Sequence, residues 1–151
     1  MLQVEAVFFC EISSVLRRSH ADCYLKGNPL AIVEVPRSVT LSQEQKQTIA
    51  REFNYSETTF LHEKESDDGP DEWIVDIFMT TTELPFAGHP TIGTACHVLS
   101  KVARGSGAKG GKIEAGFKIK AGPIELQYDV EKGLARAAIP HNMWVFLINQ
   151  D

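Results

Sequence analysis

The stretch Glu83–His97, ELPFAGHPTIGTACH, constrains the fold more than any other part of the sequence. Its first proline and first glycine are typical of a tight turn. Pro90 suits the first turn of a helix, because the N–H that proline lacks would be unpaired at that position. Apolar residues then recur at helical spacing up to Ala103. The pattern therefore predicts a strand that ends in a turn, followed by a helix from Pro90 to Ala103.

His89 lies at or next to the N-cap of this predicted helix. Free backbone N–H groups and the positive end of the helix dipole make such a place suitable for an anion. An imidazole there could donate a hydrogen bond to a carboxylate or carry a proton. The alternative is a helix cap without chemistry. The spacing alone favours this alternative, because most capped helices bind nothing.

Glu57 is the second candidate, at a predicted junction between a helix and a strand. Ser42 and Gln45 form the pattern of a capping box, which predicts a helix that begins there and ends near Phe53. A strand is predicted over residues 58–63. A carboxylate at this junction could serve as a general base. The alternative is an ordinary surface carboxylate, which is the commoner case.

Apolar runs, alternating or continuous, predict the strands of a mixed α/β fold. The run at 30–35 is nearly continuous, which indicates a strand covered on both faces. In a strand predicted over 72–82, Met79 falls on the same face as Trp73. The glycine-rich stretch 105–111 lacks the lysine–hydroxyl ending of a phosphate-binding loop, so it predicts a simple connection. The other predicted strands span 3–9, 113–120, 124–128 and 134–139, and the last three form a meander.

Length, composition and charge limit the class of protein. A chain of 151 residues suits one domain, and 43% hydrophobic with 23% charged residues is ordinary for a soluble globular protein. The net charge of −5 and the lack of a basic run argue against nucleic acid as a partner. No apolar run is long enough to span a membrane, so we expect no membrane partner either.

The cysteines Cys10, Cys23 and Cys96 are odd in number and irregularly spaced. This pattern favours reduced thiols over a disulfide framework, and therefore a cytoplasmic protein. We expect the three cysteines to be neither catalytic nor metal ligands, and we expect no metal site in the protein.

The segment Met143–Ile148 consists of six consecutive apolar residues near the end of the sequence. Such a run needs a partner surface, in the same chain or in another. We therefore expect residues 143–151 to form an apolar tail at an interface, and the protein to be a homodimer.

The stretch Glu83–Ala95 resembles the signature of the PhzF-like isomerases of phenazine biosynthesis. Three further blocks of this chain resemble the same family and occur in the same order: Gly27–Val33, Leu41–Asn54 and Ser56–Phe60. The resemblance covers most of residues 1–142, which we expect to form one lobe. This lobe is only the first half of what the family normally has.

The resemblance implies the fold of diaminopimelate epimerase, in which two similar lobes face each other across a cleft. Each lobe is a mixed α/β fold of the α+β type. A curved, mostly antiparallel β-sheet is wrapped round a central helix. Members of the family need no cofactor. Ala87 stands where diaminopimelate epimerase has its first catalytic cysteine, which argues against racemisation by two thiols.

The resemblance also implies roles for the two candidate residues. Glu57 would move a proton on a small carboxylate- or carbonyl-bearing metabolite, and His89 would help to bind or protonate it. The expected function is that of a cofactor-independent isomerase or cyclase in biosynthesis. Two alternatives remain: an inactive single lobe that serves as a binding or scaffold protein, or a fragment of a two-lobe enzyme. The presence of both candidates favours an enzyme. The expected substrate-binding residues are Gly27, Asn28, Ser56, Gly88, Pro90 and Thr91.

Overall fold

A computed structural model describes residues 3–9, 28–64 and 71–138. In these ranges the chain forms eight strands and two helices. The strands are β1 (Gln3–Phe9), β2 (Asn28–Val35), β3 (Glu57–His62), β4 (Glu72–Phe78), β5 (Glu83–Leu84), β6 (Lys112–Ile119), β7 (Gly122–Asp129) and β8 (Leu134–Ala137). The helices are α1 (Gln43–Phe53) and α2 (Gly88–Gly105).

The strands form one sheet in the order β1-β2-β3-β4-β6-β7-β8, and β5 pairs with β4 beside this path. Only the pairs β2–β3 and β4–β6 are parallel among the described strands. Each parallel pair is connected through a helix, as a parallel connection requires. Helix α2 contacts β1, β2 and β3 from one half of the sheet and β7 and β8 from the other. The prediction of a curved, mostly antiparallel sheet round a central helix is therefore confirmed.

Helix α2 is buried along most of its length because it lies inside the curved sheet. It begins at Gly88, two residues before the predicted start, because Ala87 is the last residue in an extended conformation. It also continues to Gly105, two residues past the predicted end. The buried residues of the helix are mostly small, which allows the sheet to approach closely: Pro90, Thr91, Gly93, Thr94, Ala95, Val98, Leu99 and Ala103.

Helix α1 covers the outer face of the sheet. Ser42 and Gln45 make the predicted capping box, and Asn54 ends the helix in the left-handed conformation with φ 53° and ψ 32°. Ala50 of this helix packs on a second apolar cluster formed by side chains from β2, β3 and β4. Strand β2 thus lies between α2 and α1, which confirms that both of its faces are covered. The strand residues of this cluster are Val33, Val35, Phe60 and Phe78.

The strand predicted over residues 72–82 is shorter than expected and ends at Phe78. The N–H of Met79 donates to the backbone oxygen of Thr82 at 2.8 Å, so the chain turns there and returns as β5. Met79 is 37% exposed, and it lies one residue past the strand on which it was predicted to share a face with Trp73. Trp73, on the face where Met79 was expected, is 7% exposed.

Several expectations from the sequence fall outside the described residues. They concern Gly27, Cys10, Cys23 and the apolar tail at 143–151. The division of the chain at residue 142 therefore stays a prediction. Within the described ranges, neither helix has the length and apolar character needed to cross a membrane.

Candidate functional site

Glu57 and His89 lie in contact although 31 residues separate them in the sequence. Glu57 is the first residue of β3, and its Cα pairs with that of Leu30 in β2. His89 is the second residue of α2, which starts beside this end of the sheet. Glu57 Oε2 and His89 Nδ1 are 3.2 Å apart, and the two side chains are only 20% and 23% exposed. The structure therefore brings together the two candidate residues of the sequence.

The contact between these side chains leaves hydrogen-bonding capacity unused. The separation of 3.2 Å is short enough for an ion pair, yet the contact lacks the geometry of a hydrogen bond. Among the described residues, Glu57 Oε2 and His89 Nε2 are buried atoms without a hydrogen-bond partner. Native proteins contain few such atoms, and those that occur are often functional. One carboxylate oxygen and one imidazole nitrogen therefore keep hydrogen-bonding capacity that no described residue uses.

The N-terminus of α2 adds hydrogen-bond donors to the same place. Ala87 caps the helix without a side-chain hydrogen bond, and the N–H groups of Gly88 and His89 have no acceptor within the helix. Thr91 is different, because its Oγ1 donates to the backbone oxygen of Ala87 at 2.7 Å. Pro90 and Thr91 are buried, whereas Gly88 is exposed and nothing lies within 4 Å of a Cβ built on it. An anion can approach this helix end over Gly88.

The other predicted binding residues lie at the same end of the sheet. Ser56 directly precedes β3 and is exposed. Asn28 begins β2, two residues before Leu30, the partner of Glu57. The backbone therefore places these two residues near Glu57, while Gly27 lies outside the described ranges. Their predicted contacts with a substrate stay predictions.

The segment that leads to His89 is anchored by hydrogen bonds to distant parts of the chain. Glu83 Oε2 accepts hydrogen bonds from Lys120 Nζ at 2.6 Å and from Gln43 Nε2 at 2.8 Å. The N–H of Ala121 donates to the backbone oxygen of Pro85 at 3.0 Å. The turn between β6 and β7 and the start of α1 thus hold the chain just before α2. No local pattern predicts these contacts, because the partners come from distant parts of the chain.

Cys96 takes no part in this arrangement. Burial raises the pKa of its thiol, and a hydrogen bond with the backbone of Ala135 in β8 offsets only part of the effect. The thiol is therefore protonated at neutral pH. No group of three or more His, Cys, Asp and Glu residues in the described ranges is arranged to hold a metal ion. That the cysteines are not catalytic stays a prediction.

A depression of about 340 Å³ lies at the opposite end of β2 and β3. Val35, His62, Trp73 and Val98 are among the residues that line it, and neither Glu57 nor His89 is. Its charged lining residues are already paired, as Lys64 is with Asp71 at 2.7 Å. The chemistry of the side chains, rather than the size of a cavity, therefore locates the candidate site at the start of α2.

A curved sheet wrapped round one helix, with a carboxylate and an imidazole at the start of that helix, defines a lobe of the diaminopimelate epimerase type. A predicted epimerase from Pseudomonas aeruginosa has the same fold, with a TM-score of 0.53 and 27% identity over 68% of this chain and 33% of its own. A PhzF-family protein from Bacillus anthracis matches with a TM-score of 0.52 and 28% identity over 74% of this chain and 34% of its own.

Residues 19–146 match the family model of the phenazine biosynthesis-like proteins, PhzC-PhzF, and the chain belongs to this family. An uncharacterized isomerase from Pasteurella multocida is 47% identical over 75 residues, which are 50% of this chain and 25% of that protein. The trans-2,3-dihydro-3-hydroxyanthranilate isomerase of Pseudomonas chlororaphis is 43% identical over 82 residues, 54% of this chain and 27% of that enzyme. The matched stretches thus cover about a quarter of the length of these curated relatives.

Proposed function

We propose that this lobe carries the proton-transfer half of an isomerase site that needs no cofactor. Glu57 is the proton carrier, and His89 with the N-terminus of α2 binds a small metabolite that bears a carboxylate or carbonyl group. One observation carries the proposal. Glu57 Oε2 lies 3.2 Å from His89 Nδ1, while that oxygen and His89 Nε2 are buried without hydrogen-bond partners among the described residues.

The proposed reaction moves one proton and one double bond. Glu57 takes a proton from a carbon next to the activating group, and the electron pair of the broken C–H bond shifts the double bond. Negative charge then develops on the activating group, where His89 and the free N–H of Gly88 stabilise it. The carboxyl group returns the proton to another carbon, so that atoms and electrons balance without an oxidant or a reductant.

The names of the relatives support this reaction class. The matching enzyme of Pseudomonas chlororaphis is named an isomerase of trans-2,3-dihydro-3-hydroxyanthranilate, which carries both a carboxylate and a ring double bond. We therefore choose this compound as the probe substrate. The exposed side of the site needs a facing surface to exclude water, and we propose that a second copy of the chain supplies it.

Solvent exchange tests the proposed function. The protein is incubated with the probe substrate in deuterated water, and mass spectrometry measures isomerisation and deuterium incorporation. Glu57→Gln keeps the shape of the side chain and removes its basicity, so it should lower the rate by about two to four powers of ten. His89→Ala should raise KM and lower kcat, because it removes a group that binds the developing charge.

A matched control uses Glu52, an exposed carboxylate on α1. Glu52→Gln should leave the rate unchanged, because this residue lies outside the site. Turnover by Glu57→Gln at the wild-type rate would show that the base lies elsewhere. Tight binding of the probe without isomerisation or exchange would instead favour a lobe that binds without catalysis.

A further inference from the structure

Thr59 and Thr94 form a buried hydrogen bond behind the candidate site. Their Oγ1 atoms are 2.9 Å apart, and both residues are 0% exposed. Thr59 Oγ1 also donates to the backbone oxygen of Ala31 in β2, at 3.4 Å. Since the hydroxyl proton of Thr59 is then in use, Thr94 donates to Thr59. The three groups form one hydrogen-bonded chain from α2 through β3 to β2.

This series of hydrogen bonds crosses an otherwise apolar interface between α2 and the sheet. Leu30, Ile32 and Leu61 contribute the sheet side of the surrounding core, and Ala95 and Val98 contribute the helix side. Burial of apolar surface is not directional, so it favours contact without fixing where the helix stands along the strand. A hydrogen bond is directional, and it is strong where water is excluded. The threonine pair therefore fixes a position that the apolar contacts leave open.

The threonine pair is the next contact after Glu57–His89 along the same strand and helix. Thr59 follows Glu57 by two residues, on the same face of β3, and Thr94 follows His89 by five residues. Two strand residues advance about 6.6 Å, and five helical residues advance about 7.5 Å. Similar lengths of strand and helix therefore separate the two contacts, which makes them successive links between β3 and α2. A shift of the helix at the threonine link moves His89 relative to Glu57.

We propose that Thr59 and Thr94 are positioning residues that set the separation of Glu57 and His89. The inference rests on the proposed function, since it gives the separation a catalytic meaning. A misplacement of about 1 Å can cost on the order of a hundredfold in rate. The threonines touch no substrate, and their effect on the reaction passes through the geometry of the other two side chains.

Valine substitutions separate positioning from stability, because valine has nearly the shape of threonine without the hydroxyl group. Thr59→Val alone leaves the buried Thr94 hydroxyl without its acceptor, so the Tm should fall by about 5 °C. Thr59→Val combined with Thr94→Val removes both polar groups, so the Tm should return to the wild-type value or exceed it. Thr48→Val is the matched control, since Thr48 is exposed on α1, which packs on the second apolar cluster.

Two readouts report on position. The first is kcat with the probe substrate, which should fall about ten- to a hundredfold in the double variant while KM changes little. The second needs no substrate: it is the change in the ring ¹⁵N chemical shifts of His89 caused by Glu57→Gln. This change should be clear in the wild-type background and smaller in the double valine variant. Thr94→Ser as a single change keeps both hydroxyl groups of the pair, so it should leave both readouts at their wild-type values.

The combination of a wild-type Tm with a low kcat and a weakened His89 response supports the proposal. A double valine variant that keeps both the Tm and the His89 response overturns it, and the pair is then ordinary packing. Activity that merely follows the Tm across all variants also overturns it. If Glu57→Gln reacts at the wild-type rate, the proposed function fails separately, and the His89 response still decides whether the threonines position this pair.

Discussion

Substitution of Asp76 should destabilise the fold more than any surface carboxylate does, because Asp76 contacts both a lysine of α1 and a histidine of β3. Its Oδ2 lies 2.5 Å from Lys46 Nζ of α1 and 2.7 Å from His62 Nε2 of β3. Burial alone would raise the pKa of Asp76, but the hydrogen bonds and charges of His62 and Lys46 outweigh it and hold that pKa below its ordinary value. The carboxylate is therefore ionised at neutral pH and stabilises the attachment of α1.

The size of the effect follows from the burial of the pair. The side chains of Lys46 and Asp76 are 11% and 21% exposed. Loss of one partner costs about 3–5 kcal/mol for a fully buried pair, and surface pairs contribute about 0–1 kcal/mol. We therefore expect Asp76→Asn to lower the free energy of unfolding by about 2 kcal/mol at pH 7, between these limits. For a chain of this size the Tm should fall by about 4–8 °C.

Urea unfolding across pH measures this contribution. Since the folded-state pKa of Asp76 is lowered, its stabilisation is complete above its ordinary pKa of about 4 and is lost as the pH falls through the folded-state pKa. The difference between wild type and Asp76→Asn should thus be constant from pH 7 to about 5 and shrink below about 4. Lys46→Met combined with Asp76→Asn should lower the free energy of unfolding by less than the sum of the two single changes.

Strict additivity of the two single changes would refute this reasoning, because the energies of a coupled pair do not add. A difference that grows below pH 4 would refute it as well. Glu52→Gln on the exposed side of α1 is the control, and it should change the free energy of unfolding by less than about 0.5 kcal/mol.

Two other predictions concern stability and assembly. Thr58 is 1% exposed, and its Oγ1 has no hydrogen-bond partner among the described residues. Thr58→Val should therefore stabilise the fold by about 1 kcal/mol in thermal unfolding, and a lowered Tm would contradict the burial of an unused hydroxyl. The homodimer predicted from the apolar segment 143–148 should sediment with a mass near twice 16.8 kDa. A monomer that stays soluble after removal of residues 143–151 would contradict it.

Features with local signals were predictable from the sequence. The capping box of Ser42 and Gln45 depends on neighbouring residues, and it occurs as expected. Glu57 and His89 were found individually as residues at the ends of elements. Only the family resemblance predicted that these two side chains lie close together. No local pattern indicates which strand end lies beside which helix end.

Features that depend on distant partners were not predictable. The strand predicted over residues 72–82 continues past Phe78, but in the structure a tight turn ends the strand there and exposes Met79. Glu83 is anchored by residues 37 and 40 positions away. The hydrogen bond between Thr59 and Thr94 likewise depends on how α2 is positioned along β3. Composition and residue spacing do not predict that position.

The central place of α2 has a consequence for the order of events during synthesis. The strands β1 to β5 precede this helix in the chain, while β7 and β8, which cover its other side, follow it. As the chain leaves the ribosome, the Cys96 side of α2 stays uncovered until the last strands emerge. The nascent chain therefore exposes an apolar helix face for the time needed to add about thirty residues at roughly 5–20 residues per second.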